Sequence, residues 1–243
     1  MLKDESLVKT IKFKEYNYIG DPINTVRIFN ELEVDELVFL DITASKESRK
    51  PNFKFLESIA SECFMPLAYG GGLNNFDDVR RIFNIGFEKV VVNSAAFRVP
   101  DLISQIAKVY GSQAVIGSID YKRNFFGKNI VHSFSGSQKE DCDPVTWAVE
   151  LEKKGVGEIL LTSMDRDGTW GGYDLKLIKE VSAALSIPVV ANGGAGMVEH
   201  LGEAVKQSGA SAVAVGSMVV YQKKDMGVLV NFPDKKKLKE VLG

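Results

Sequence analysis

Long hydrophobic runs are absent. No stretch approaches the ~18 apolar residues a bilayer span needs, and the N-terminus has no apolar signal core. A soluble, cytoplasmic protein with no membrane partner is therefore expected. Cysteine is scarce: Cys63 and Cys142 form neither a CxxC pair nor a metal-ligand spacing, which points to two free thiols in a reducing compartment. There is no excess of positive charge. A formal net charge of −2 argues against nucleic-acid binding through a basic field. The only histidines, His132 and His200, have no Ser, Cys or Asp in a triad-like arrangement, so surface roles are expected for both, and neither a metal nor a cofactor is called for. Low-complexity segments and Pro/Gly/Ser linkers are also lacking. The 243 residues read as one domain, a length usual for a single α/β barrel.

What is present is a series of β-branched apolar runs: 37–43, 66–72, 89–95, 114–120, 158–164, 188–194 and 212–218. They are near-continuous rather than alternating, as strands of a parallel sheet covered by helices should be. Between them lie segments with apolar spacings of three and four, such as 22–33 and 174–185. Asp21-Pro22 and Asp143-Pro144 are sound helix starts, an Asp cap followed by Pro in the first turn. Gly86, Gly111, Gly155 and Gly209 mark helix ends.

An internal repeat selects the closed architecture over an open sheet. "DELVFLD" (35–41) matches "GEILLTS" (157–163) and "MPLAYGGGL" (65–73) matches "IPVVANGGA" (187–195), both at offset 122. "GFEKVVVNSAAF" (86–97) matches "GASAVAVGSMVV" (209–220) at offset 123. Two halves of four β-α units, about 1–113 and 114–243, predict a (β/α)8 barrel. The strand at 114–120 has its repeat partner ahead of residue 1, so the first strand is expected to be truncated. "IDYK" (119–122) then aligns with "MLK" (1–3), setting Lys3 opposite Lys122 and Met1 opposite Asp120.

In such barrels chemistry sits at the C-terminal ends of the strands. The sequence puts Asp41, Gly70–Gly72, Asn93-Ser94, Asp120, Asp165, Asp167-Gly168-Thr169, Asn192–Gly196 and Gly216-Ser217 there. Glycines ahead of a helix leave N–H groups free for a phosphate. One such site is expected at Gly194, Gly196, Gly216 and Ser217, and its repeat image at Gly72, Asn93 and Ser94, so a ligand with two phosphates should span the mouth. Asp120 lies between them and suits general acid or base work; the alternative is an ion pair with Lys122 or Arg123. Asp165 and Asp167 lack a third ligand for a metal, and Asp167 is read as a hydroxyl-contacting or hydrogen-bonding group. Glu36, Lys89 and Glu158 begin strands two, four and six, at the floor. They either point to solvent or pair into a gate for a small polar molecule.

The segments "ELVFLDITAS", "YGGGL", "GSQAVIGSID", "GEILLTSMDRDGT", "GYD" and "NGGAGMVEH" resemble the cyclase subunit of imidazole glycerol phosphate synthase, over nearly the whole chain. The resemblance implies a glutaminase partner on the floor, and ammonia passing a gate of Glu36, Lys89 and Glu158 to a phosphorylated nucleotide at the mouth. It implies Asp120 as one of two acid/base aspartates, Lys9 on a mobile loop over the substrate, and substrate contacts from Asp41, Asp167, Gly168 and Thr169 beside the two phosphate sites. The second aspartate falls on Met1. "LVKTIKFKEYNYIGDPINTVRIFNELEVDELVFLDI" further resembles paralogues of surface-polysaccharide pathways, which work with a glutaminase paralogue and a sugar amidotransferase making acetamidino sugars. Three functions follow as expectations: an ammonia-handling barrel for sugar amidation, the histidine-pathway cyclase, or a non-catalytic conduit that activates the glutaminase. An isomerase with the same phosphate sites is a fourth option, against which the floor charges argue.

Overall fold

Each of the seven apolar runs supplies one parallel strand of a single sheet. In a computed structural model describing residues 1–243, a small antiparallel sheet comes first: β1 (Leu2–Lys3), β2 (Ser6–Ile11) and β3 (Glu15–Gly20). The first half continues with α1 (Pro22–Glu31), β4 (Leu37–Leu40), α2 (Phe53–Ala60), β5 (Leu67–Gly70), α3 (Phe76–Ile85), β6 (Lys89–Val92), α4 (Ser94–Arg98) and α5 (Asp101–Tyr110). The second half holds β7 (Val115–Arg123), β8 (Asn129–Ser133), β9 (Gln138–Lys139), α6 (Pro144–Lys153), β10 (Glu158–Ser163), α7 (Leu175–Ala184) and β11 (Val189–Asn192). It ends with α8 (Val198–Ser208), β12 (Ala212–Val213), α9 (Ser217–Val220) and α10 (Lys235–Leu242). No helix is long and apolar enough to cross a membrane.

The parallel strands lie in the order β12-β11-β10-β7-β6-β5-β4. Successive β-α units are neighbours throughout, without the order reversal of a doubly wound sheet. This is a curled sheet with alternating helices, of the (β/α)8 barrel type. Burial shows the curl. Ala68, Val91, Ile116 and Leu160 cluster on the inner face. Their chain neighbours Leu67, Tyr69, Val90, Val92, Val115, Ile159 and Leu161 pack against the helices in a 42-residue core. With a side-chain period of two and both faces covered, each strand has to be apolar on both sides.

The helix punctuation acts locally. The Asp21 carboxylate accepts from Asn24 N–H at 2.8 Å, and Asp143 accepts from Val145 and Thr146 N–H at 3.0 Å each. Gly86 and Gly209 close α3 and α8 in the left-handed region, at φ 115° and 71°.

Where the first strand was expected, Leu2 makes a parallel bridge to Asp41, and Ile42 N–H donates to the Leu2 carbonyl at 3.1 Å. The chain then reverses through Asp4 and Glu5, both left-handed, and Leu2 pairs antiparallel with Leu7. Lys9, expected on a mobile loop over the substrate, lies in β2 of the β2–β3 hairpin.

Candidate active site

Strand ends and two hairpins enclose a cavity of about 130 Å³ at the mouth. It brings together Lys9, Asp41, Gly72, Asn93, Ser94, Asp120 and Asp167, which lie on six different segments of the chain. Asp120 ends the buried part of β7 and is the centre of the site. Asn93 Nδ2 donates to its Oδ2 at 3.0 Å. Enclosure pushes the Asp120 carboxyl up to about 7, aided by the charge of Asp167 and opposed by hydrogen bonds from Thr162, Ser118 and Asn93. A carboxyl poised near neutrality can give and take a proton at working pH. No ion pair joins it to Lys122 or Arg123. Both cations lie beyond Asp120 on the exposed end of β7.

The remaining residues divide by what already holds them. Asn93 spends one amide hydrogen on Asp120, and its Oδ1 is buried. One amide hydrogen is left over as a donor, beside an acceptor that has no partner within the protein. Ser94 Oγ accepts from Phe134 N–H at 2.9 Å, which leaves its own O–H available. Asp41 is committed internally: Oδ1 accepts from Ala44 N–H at 3.0 Å, and Arg49 Nη1 lies 3.1 Å from Oδ2. Gly72 is left-handed, and a Cβ there would meet the Arg49 carbonyl at 2.3 Å, so its glycine identity serves the Arg49 loop as well as any ligand.

Asp167 holds the β2–β3 hairpin over the mouth. Thr10 Oγ1 donates to its Oδ2 at 2.6 Å, and Lys12 N–H donates to its carbonyl at 2.9 Å. Lys9 is thereby turned inward. Burial lowers its pKa while Asp167 opposes the shift, and a Cβ on Gly216 would meet its Nζ at 2.2 Å. The ammonium thus stands at the second expected phosphate end. There, Gly194 lies beneath the Gly172 carbonyl, and Gly196 N–H donates to His200 Nδ1 at 3.2 Å. Ser217 is buried in the first turn of α9. Gly168 and Thr169 stay outside the cavity: Thr169 Oγ1 donates to the Arg166 carbonyl at 2.7 Å, and Gly168 admits the Thr10 carbonyl. Asp165 accepts from Arg123 N–H at 2.8 Å, and no group of three or more His, Cys, Asp or Glu is placed to hold a metal.

Thr10, Thr162 and Ser135 were not legible as site residues. Each is an ordinary hydroxyl whose partner is far along the chain, such as Ile42, whose carbonyl accepts from Ser135 Oγ at 2.6 Å.

At the floor, Lys89 Nζ lies 2.8 Å from Glu36 and 3.0 Å from Glu158. Burial lowers the Lys89 pKa, but the two carboxylates outweigh it and the net shift is upward. The three side chains form one bridged triad rather than separate solvated charges.

A (β/α)8-type sheet with a poised carboxyl at its mouth and a bridged triad at its floor defines the class. Comparison with known proteins narrows it. The profile of the family described as "Histidine biosynthesis protein" matches residues 2–225. "Putative imidazole glycerol phosphate synthase subunit hisF2" of Pseudomonas aeruginosa is 47% identical, over 98% of this chain and 95% of that protein. "Imidazole glycerol phosphate synthase subunit HisF" of Chlorobium luteolum is 44% identical over 89% and 86%. "Putative imidazole glycerol phosphate synthase subunit hisF3" of Vibrio vulnificus is 39% identical over 100% and 94%. The chain belongs to the histidine-biosynthesis family, in its HisF-type imidazole glycerol phosphate synthase group.

Proposed function

We propose that the protein is an ammonia-handling HisF-like synthase. A glutaminase partner docks on the floor, ammonia passes the Glu36–Lys89–Glu158 triad, and it is used at the mouth on a ligand carrying two phosphates. The product serves amidation in surface-sugar biosynthesis, with a sugar amidotransferase as a further partner. The observation that carries the enzymatic reading is the Asp120 carboxyl, raised to about 7 and held by Asn93. A passive conduit has no use for a neutral-range acid/base at its exit. Lys9 and Gly216 would receive one phosphate, Gly72 and Ser94 the other, and Asn93 Oδ1 would read a donor between them.

The second reading is the histidine-pathway cyclase. Two measurements decide. The first is turnover of ribulosyl-formimino aminoimidazole carboxamide nucleotide with ammonium, for wild type and Asp120→Asn. Turnover that collapses in the variant supports an acid/base role, and turnover unaffected by it removes that role. The second is rescue of a histidine auxotroph lacking the cyclase, which would overturn the sugar-pathway assignment.

A further inference from the structure

Phe125 and Phe126 stand almost fully in solvent, 98% and 84% exposed, at the tip of the β7–β8 hairpin. Their rings meet edge to face, with centroids 5.7 Å apart. The turn that carries them is closed by other residues. Asn124 N–H donates to the Lys128 carbonyl at 2.8 Å, and Gly127 N–H donates to the Asn124 carbonyl at 3.0 Å. Lys128 N–H donates to Asn124 Oδ1 at 2.9 Å, and Gly127 takes the left-handed conformation the turn needs, at φ 78°. The two phenylalanines therefore make none of the turn's hydrogen bonds, and the turn holds them outward.

A collar of positive charge surrounds the pair. Lys122 and Arg123 precede it and Lys128 follows it, all three exposed. None of them is in an ion pair, although many other lysines and arginines of the chain are. Residues 121–132 contain no Asp or Glu. Asp165 touches the hairpin, but through the Arg123 backbone N–H at 2.8 Å. In a chain of net charge −2, this is a local and uncompensated positive excess.

Size and charge together select what covers the tip. A stable protein interface takes about 800 Å² from each side, whereas two aromatic side chains supply about 150–250 Å² each. A lipid surface needs no such area, because it wraps a convex tip from all sides. The rings enter the acyl boundary while the cations stay level with anionic headgroups, and the two signals act together where either alone binds weakly.

We propose that the Phe125–Phe126 tip, with its collar of Lys122, Arg123 and Lys128, attaches the protein reversibly to the surface of an anionic lipid bilayer. The expectation of no membrane partner rested on the lack of a spanning segment, and surface attachment requires none. The tip lies beyond Asp120 on β7, so it is on the mouth side of the barrel, and attachment leaves the floor triad free. The proposal stands apart from the activity assigned above.

The test is co-sedimentation of the full chain with vesicles of phosphatidylglycerol and phosphatidylcholine in equal parts, beside vesicles of phosphatidylcholine alone. Saturable binding to the anionic vesicles is expected, at least about tenfold tighter than to the neutral ones and weakened by added salt. Phe125→Ser with Phe126→Ser should lower the affinity at least about tenfold. Its Tm should stay unchanged, since the turn's bonds belong to Asn124, Gly127 and Lys128. Phe64→Ser is the control. It removes another exposed ring, next in sequence to the ion-paired Glu62 and at the opposite end of the barrel, and should leave binding as it was. Wild-type protein that stays in the supernatant with anionic vesicles overturns the proposal. So does binding that survives the double Phe variant, or that survives joint replacement of Lys122, Arg123 and Lys128 by Gln. If sedimentation equilibrium instead shows a dimer that the double Phe variant dissociates, a second copy covers the tip and the proposal is wrong.

Discussion

At the scale of single residues, Asp120 decides most. Asp120→Asn removes a proton donor and acceptor, so kcat should fall by about 10²–10⁴-fold, the usual contribution of a positioned acid/base. The wild-type pH profile should break near pH 7, and that break should vanish in the variant. The same carboxyl makes a stability prediction of opposite sign. Its folded pKa of about 7 lies above the ordinary 3.8, so its contribution is fully favourable below about pH 4 and is lost as pH rises through 7. Thermal melts should show Asp120→Asn more stable than wild type at pH 8, by roughly 1–4 kcal/mol, with the gap narrowing toward pH 4. The sequence placed Asp120 at a strand end beside two glycine-rich turns. It could not show that Asn93 turns its amide onto Asp120 and leaves an acceptor free, because that is a rotamer choice made by neighbours 27 positions apart.

At the scale of elements, the β2–β3 hairpin is held over the mouth by few bonds. Thr10→Val leaves the buried Asp167 carboxylate one donor short, at a cost of about 1–3 kcal/mol. Because Leu7 and Ile19 tie the base of the hairpin to the main core while Thr10 lies nearer its tip, the loss should appear as faster amide exchange and proteolysis around the tip, within 9–17, with little change in global Tm. Helix starts follow different rules. Asp143 caps α6 from the adjacent turn, so Asp143→Ala should cost about 1 kcal/mol wherever the barrel sits. Such caps were readable from Asp-Pro alone, since donor and acceptor lie within three residues. The docking of the hairpin was not: its hold on the mouth runs through Asp167, 157 positions away from Thr10, and the run "LVKTIKF" has no turn signal that separates a strand from a loop.

At the scale of the whole molecule, the proposed function requires the two ends of the barrel to act together if glutamine is the nitrogen source. Lys89→Met would leave Glu36 and Glu158 facing each other without their cation. The triad is about one-quarter exposed, so solvent screens the repulsion and a loss of only about 1–2 kcal/mol is expected. Ammonium-dependent turnover at the mouth should persist while glutamine-dependent turnover falls; equal loss of both would remove the gate reading. The sequence by itself determined the strand runs, the helix caps, the two-fold repeat and hence the barrel-type order of the sheet. All of these rest on apolar periodicity and on contacts a few residues apart. Only the tertiary structure decided that Glu36, Lys89 and Glu158 pair, that Asp41 belongs to Arg49, that Asp167 holds Thr10, and that Lys9 points inward at Gly216. Those outcomes depend on which side chains curvature of the sheet brings within about 3 Å of each other, and a one-dimensional pattern does not carry that distance.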